Sequence, residues 1–384
     1  MREHDSTFHE PAQHGVRRGS ALDRNRWARD WDAQMNASVI AAPAHFDSLT
    51  LAGAGYLPPM LNSLRTDPII QRQPGGRQAG LAILNSFLTE RGRNYRTDMS
   101  SPILGEDGCS RLSAHLAWGT ISIREVFHAT NARRAELADN PSPNAKAWRA
   151  SLNAFVGRLH WHCHFTQKLE AEPELEWRPT ARAYEGMRPP ANSAHLAAFA
   201  YGQTGFPFVD ACMRQLAATG WINFRMRAML MSFACYDLWI PWQTAGKVLA
   251  RLFTDYDPGI HWPQSQMQSG ETGINTLRIY STVKQGRDHD PDGVYIRRWV
   301  PELAAVQGDM IHEPWAHGGI AGYPPPLVDH AIASKAARDA IWVIRRTPEA
   351  KAEAAAILER HGSRRRLSER RRLTTGRKSK TDAV

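Results

Sequence analysis

Two arginines, Arg225 and Arg227, stand in the middle of GWINFRMRAMLMSF (220–233), a run otherwise suited to a buried helix. A charge in such surroundings must meet a partner, because an unpaired ion in an apolar interior is strongly unfavourable. Helical residues two apart point about 200° from one another, so the two guanidiniums face different sides. The next charged cluster is FTDYDPGIHW (253–262), where Asp255 and Asp257 follow a helical segment and precede Pro258–Gly259. Carboxylates in such a turn can aim inward. An Arg227–Asp255 pair would then neutralise both charges through parallel hydrogen bonds; the alternative is two surface ions. A second constellation is GCSRLSAHLAWG (108–119), with Ser110 and Ser113 flanking Arg111 and Leu112 in what reads as a first helical turn. Free N–H groups, hydroxyls and the helix dipole there would seat a phosphate, although ordinary N-capping uses the same serines. HWHCHF (160–165) puts His160 and His164 on one helix face, as in zinc pairs. His162 points elsewhere and no acid or second cysteine is near in sequence, so no metal site is expected.

These side chains need a scaffold, and the spacing of apolar residues predicts helices. GRQAGLAILNSFL places Leu81, Leu84, Phe87 and Leu88 on one face. SIREVFHATNARRAEL, KAWRASLNAFVGRLHWHCHFTQKLE, PFVDACMRQLAA, WINFRMRAMLMSFACYDLW and TAGKVLARLFTDY read the same way. Strand signals are sparse and no βαβ alternation occurs, so the fold class is all-α. The expected organisation is a flexible arm over 1–45 and a linker or wrapping segment over 46–76, with a turn at Pro74–Gly76. A helical domain over 77–330, a C-terminal helix over 331–360 and a basic disordered tail over 361–384 complete it.

With 384 residues, 42% of them hydrophobic, the chain can bury a sizeable core. Its longest apolar run, AMLMSFACYDLWIPW, is interrupted by Asp237 and Pro241 and is too short to cross a bilayer. No apolar stretch of signal-peptide length opens the sequence, so a cytoplasmic protein is expected. Cys109, Cys163, Cys212 and Cys235 are scattered and read as reduced thiols. The net charge of +10 sits mostly in 361–384, where nine basic residues face two acidic ones, leaving 39 against 36 elsewhere. Such a tail holds phosphates loosely or simply solubilises the chain. Bulk charge therefore does not establish nucleic-acid binding.

GQTGFPFVDACMRQLAATGWINFRMRA, DYDPGIHW and DPDGVYIRRWVPELAAV, followed by HEPWA and YPPPLVDH, resemble the flavin domain of the DNA photolyase/cryptochrome family. The wording RLHWHCHFTQKLE and ARLFTDYDPGIHW is similar to a short bacterial subgroup without the family's N-terminal α/β antenna domain. The residues before Arg77 are too few for several βαβ units of about 30 residues each, so no antenna chromophore is expected. The resemblance implies a helical domain that holds FAD bent into a U. It places Tyr95, Ser110, Arg111, Leu112 and Ser113 at the phosphates, Arg227 and Asp255 beside the flavin ring, and Tyr256 and Asp257 near the ring's polar edge. His261 matches the position beside flavin N5. Arg225 falls on the DNA-facing side. The implied reaction is light-driven electron transfer to a flipped-out ultraviolet photoproduct, with UV-damaged DNA as partner and a monomer as the working form. A cryptochrome-like photoreceptor is the second reading, and a helical nucleic-acid-binding protein without flavin the third.

Departures from the family pattern accompany these matches. The lesion-contacting helix carries Arg158, Trp161 and His162, so an acid has become basic; a register using Gly157 and Arg158 is the alternative. Met267 replaces a stacking tryptophan, and Phe224 and Ala228 occupy positions held by Asn or His in relatives. His261 stands where repair enzymes commonly have Asn, and a histidine titrating near neutrality would supply or withhold a proton. Of the family's electron-relay tryptophans only the middle one, Trp242, is matched; Ser265 and Met187 fall at the others. Trp239, Trp262 and Trp221 are the candidates for another route, or are core packing.

Overall fold

A computed structural model describes residues 24–39, 45, 69 and 71–361, and the regular elements among them are all helical. The first falls within the segment expected as a flexible arm over 1–45 and corrects that expectation for residues 24–36 alone. Helix α1 (Arg24–Asn36) forms because Trp27, Trp31 and Met35 recur every four residues in an otherwise polar stretch. Its stripe lies on the helix that carries the histidine-rich run and on the helix before it. The His160 ring is 4.5 Å from Trp27 and 4.9 Å from Trp31, both edge-on. Trp27 Nε1 donates to Gln167 at 2.6 Å, and His128 Nε2 donates to the Met35 carbonyl at 2.7 Å. His160 is therefore boxed by indoles rather than presented to a metal. Residues 1–23, most of 40–70 and the tail 362–384 lie outside the described residues.

In helix α2 (Arg77–Thr89), Leu84, Phe87 and Leu88 are buried as expected, but Leu81 is exposed. Gly80, four residues before Leu84, takes the inner position, where its backbone meets the His115 ring. Helix α3 (Ser113–Ala117) is short. Helix α4 (Ile123–Glu136) opens on a reciprocal Ser122–Glu125 capping box. Helix α5 (Pro143–Ala171), capped by Ser142, is the long strut of the domain. Helix α6 (Pro207–Thr219) ends at left-handed Gly220, and α7 (Phe224–Ser232) runs into a π turn over Phe233–Asp237. Helices α8 (Trp242–Leu252) and α9 (Pro258–Ser269) follow. The C-terminal helix expected over 331–360 is two, α10 (His330–Arg345) and α11 (Pro348–His361). Pro348 cannot donate to the preceding turn and starts a new helix, with the Thr347 hydroxyl accepting from Ala350 N at 3.2 Å.

Asp237, the charge that interrupts the apolar run, is buried in the π turn and takes a short hydrogen bond from His330 Nδ1 at the start of α10. Burial pushes the Asp237 carboxyl up while the carboxylate raises the imidazole. The pair ties the C-terminal helices to the centre of the domain.

Three apolar clusters organise the helices, the smallest joining Ala181, Tyr184 and Tyr236 to Ala337, Ile341 and Ile357 of the C-terminal helices. Of the two larger, one, from Trp27 to Cys163, also takes in Trp221; the other runs from Phe199 to Tyr323 and begins its central part at Ile222. The seam between them therefore passes through residues 221–222, the approach to α7. Polar groups collect along this seam, and it is here that Arg227 lies.

Candidate functional site

Arg227 is fixed by every donor it has in range. Nε donates to the Ile222 carbonyl at 2.9 Å, and Nη1 and Nη2 donate to the two Asp255 oxygens at 3.0 and 2.8 Å. The plane lies over the Phe253 ring, 4.1 Å from its centroid. The Asp255 side chain keeps only 2% of its surface and Arg227 24%, so the pair is enclosed but open on one side. The two ions are not scattered surface charges. Arg225 is separated from them as the helical angle requires: it is half-buried beside Asp288 and His289.

Asp257 has a local role that the sequence conceals. The turn does not simply end at Pro258; Pro258 is the first residue of α9, and Asp257 is its N-cap, accepting from Gly259 N at 2.8 Å and Ile260 N at 3.3 Å through Oδ1. Oδ2 is left facing α5, 3.8 Å from His162 Nε2. Close packing explains the approach, since a Cβ on Gly259 would stand 2.4 Å from Thr166 Cα. His162 Nδ1 is buried with no hydrogen-bond partner among the described residues, and burial lowers the pKa of the ring.

His261 stands one turn further along α9. Its Nε2 donates to the Gly246 carbonyl at 2.9 Å, which fixes the neutral tautomer with the proton on Nε2 and the lone pair on Nδ1. Gly246 is required: a Cβ there would lie 2.7 Å from the Trp262 ring and 3.3 Å from His261 Nε2. Rings of Phe253, Tyr256 and Trp262 surround the imidazole at 5.9, 5.5 and 4.7 Å. Part of its surface stays accessible, yet this packing pushes its pKa down to about 4, with the Arg227 charge acting in the same direction. The expectation of a ring titrating near neutrality is corrected. At neutral pH His261 is an acceptor at Nδ1, not an acid.

The consequence for stability has a definite sign. The unfolded chain protonates this ring below about 6.5 and the folded chain only below about 4, so between those values the unfolded state binds the extra proton. Acidification through that window should weaken the fold by up to about 1.4 kcal/mol per pH unit for this group. His261→Asn should flatten that part of a pH–stability curve measured by urea unfolding. An unchanged slope would mean that the ring is not held neutral.

The serine run is arranged differently from the expected first turn. Residues 110–112 are not helical; α3 begins at Ser113 with Leu112 at its N-cap and no capping side chain. Leu112 is buried, whereas Ser110, Arg111 and Ser113 are half-exposed. The start of α3 therefore offers N–H groups with no side-chain cap. Arg111 has φ 59°, the left-handed region, and its guanidinium lies 4.0 Å from the Trp221 ring centroid. It is close enough to Asp255 to feel its charge, and it shares with Arg227 the neighbourhood of Cys109, a neutral thiol that burial pushes up to about 12. The structure thus brings the serine run and the Arg227–Asp255 pair to one site. Tyr95 is buried against Phe87 and Phe155, with its phenol beside Arg158 and Cys109, so it supports this region from within.

Arg158 and Trp161 are exposed, the latter by 51%, on the length of α5 that also carries His162. Phe224 is 50% exposed at the start of α7; the residue before it, Asn223, shares Met99 with Arg158, whose Nη2 reaches Met99 Sδ at 3.9 Å while Asn223 Nδ2 donates to the Met99 carbonyl at 3.1 Å. Met267 is half-buried in α9, and Tyr256 accepts from Trp262 Nε1 at 3.1 Å. Trp242 is buried, its ring 5.8 Å from Trp262, which touches His261. Trp118 and Gln73 escaped the sequence reading. Trp118 is 77% exposed and donates Nε1 to the Thr254 carbonyl at 2.8 Å, beside Asp255. A tryptophan ending a short helix next to serines was the available signal for it.

Known proteins resemble this chain in sequence and in fold. A family model described as the FAD binding domain of DNA photolyase matches residues 155–343. The deoxyribodipyrimidine photo-lyase of Streptomyces griseus is 35% identical over 67% of this chain and 54% of its own length. The crystal structure of a bacterial class III photolyase from Agrobacterium tumefaciens superposes with a TM-score of 0.66 at 25% identity, covering 85% of this chain and 71% of that one. A Synechocystis cryptochrome gives 0.63 at 26% identity, covering 71% and 58%. The chain spans about half the length of the curated relatives it matches. Among the described residues, no helix is long and apolar enough to cross a membrane. A helical bundle whose two larger cores meet at a fixed Arg227–Asp255 pair, with those sequence and structural likenesses, makes this chain a member of the DNA photolyase/cryptochrome family, carrying the family's FAD-binding domain.

Proposed function

We propose that the chain is a light-dependent DNA-repair flavoprotein acting on an ultraviolet pyrimidine photoproduct, of the (6–4) or cyclobutane type. The observation that carries this is the bidentate Arg227–Asp255 pair with Asp257 and His261 on the adjoining turn. The residues fit a bound FAD. The uncapped start of α3 and the free end of Arg111 suit a diphosphate, and Asp257 Oδ2 and His261 Nδ1 are acceptors for ring N–H groups. Bound there, FAD supplies the blue-light absorption and the electron. Arg227 contributes a fixed positive charge without solvent rearrangement. Trp161 and Phe224 offer apolar faces to an extruded base and Arg158 a cation for its backbone. His261, held neutral with Nε2 on the Gly246 carbonyl, offers Nδ1 as an acceptor.

The test is blue-light repair of DNA carrying one lesion type at a time, with reductant present and a dark control. Loss of one photoproduct under light supports the proposal and names the substrate. Yellow protein that restores neither lesion favours a photoreceptor. That second reading draws on Arg158, which stands where the family resemblance puts an acid, and on the likeness to the Synechocystis cryptochrome.

A further inference from the structure

The segment before α2, read from sequence as a linker, reaches into this site. Gln71 N donates to the Ala218 carbonyl at 2.8 Å, and Ile69 lies against Gly220, so the chain is laid across the end of α6. Two residues on, Gln73 makes a reciprocal pair with Arg111: its Nε2 donates to the Arg111 carbonyl at 3.1 Å, and Arg111 Nε donates to Gln73 Oε1 at 3.2 Å. One amide thereby holds both the backbone and the side chain of the same arginine. Arg111 needs such a hold. A left-handed backbone costs a non-glycine residue about 1 kcal/mol or more, and strain of this kind persists only where the surroundings enforce it. The nearby acids are occupied: Glu106 accepts from Gln215 and Arg298, and Asp255 from Arg227. Stacked on Trp221 with Nε taken, Arg111 keeps both terminal amines without a partner among the described residues, next to the uncapped start of α3.

We propose that Gln73 is a positioning residue that holds Arg111 in its strained backbone so that its terminal amines meet the diphosphate of the bound dinucleotide. Ile69 and residues 71–73 are then a strap that governs retention of the cofactor. The proposal rests on the reading of this site as the FAD site. It accounts for the left-handed arginine, the doubly satisfied amide and the cation without a carboxylate, which are otherwise unrelated facts.

The test is a double-mutant cycle on FAD affinity, measured in the dark by quenching of flavin fluorescence on apoprotein. Arg111→Asn is used because asparagine tolerates the left-handed region. It should weaken FAD binding about thirtyfold, as for a lost hydrogen bond to a charged group, and Gln73→Ala about fivefold, as for a neutral one. In the combined variant the loss should be no greater than in Arg111→Asn alone. Riboflavin, which lacks the diphosphate, should bind all four proteins equally, a readout that a merely structural role for Gln73 would not give. Multiplying losses in the combined variant, or a Gln73→Ala protein with unchanged FAD affinity and normal unfolding, overturns the proposal. A parent protein that does not bind FAD overturns instead the reading beneath it.

Discussion

Arg227→Met should yield a colourless protein that unfolds at markedly lower urea. The substitution leaves the Asp255 carboxylate, 2% exposed, without either of its hydrogen-bond donors. Removing one member of an enclosed ion pair costs about 3 kcal/mol, because the remaining charge is neither solvated nor paired. That is a large share of the 5–15 kcal/mol or so by which domains are stable. The loss of colour has a separate origin, the absence of a fixed cation beside the cofactor. A second variant separates the two effects. Arg227→Met combined with Asp255→Leu removes both charges and should recover most of the stability, since a buried pair is often replaceable by apolar residues. It should not recover FAD. If the single variant purifies yellow and normally stable, the pair is only a surface contact and the assigned site is wrong.

The stability cost of a buried charge is also what made this part of the site legible from sequence. Arg227 stands among Met226, Ala228, Met229 and Leu230, all buried, so it had to meet a carboxylate, and Asp255 was the acid in the next cluster. The helices were legible for a related reason: apolar residues at helical spacing mark the face that packs. Where one strong signal was diluted, reading failed. Helix α1 hides Trp27, Trp31 and Met35 among charged residues, so average polarity outweighed the stripe. Leu81 looked equivalent to Leu84, but Gly80 is the residue on the packed line. The pKa of His261 was out of reach, because it depends on the Gly246 carbonyl and on three rings, two of them brought together only by the turn between α8 and α9. Gln73 was invisible for the same reason: its partner is 38 residues away and is distinguished by a backbone angle, not by a residue type.

Trp161→Ala should lower affinity for damaged DNA about tenfold or more while leaving FAD content and unfolding unchanged. The ring is half exposed and its aromatic neighbours, Phe165 at 5.5 Å and His164 at 6.2 Å, belong to its own helix, so little of the core depends on it. An exposed indole supported from below presents a flat apolar face, and stacking a base on such a face contributes about 1–3 kcal/mol. Phe224, at the start of α7, is a second exposed ring. Arg158 supplies a charge about one turn before Trp161 on α5, and its guanidinium has no carboxylate within ion-pair distance among the described residues. Arg158→Gln should therefore act differently from Trp161→Ala. It should reduce the dependence of binding on salt by about one counterion without changing the preference for damaged over undamaged DNA. Trp161→Ala should erode that preference and leave the salt dependence alone. Binding measured by fluorescence anisotropy at several salt concentrations separates the two. Should Trp161→Ala strip the flavin instead, the face of α5 turned toward DNA is another one, and His162, half-buried beside Asp257, becomes the residue that marks the cofactor side of the helix.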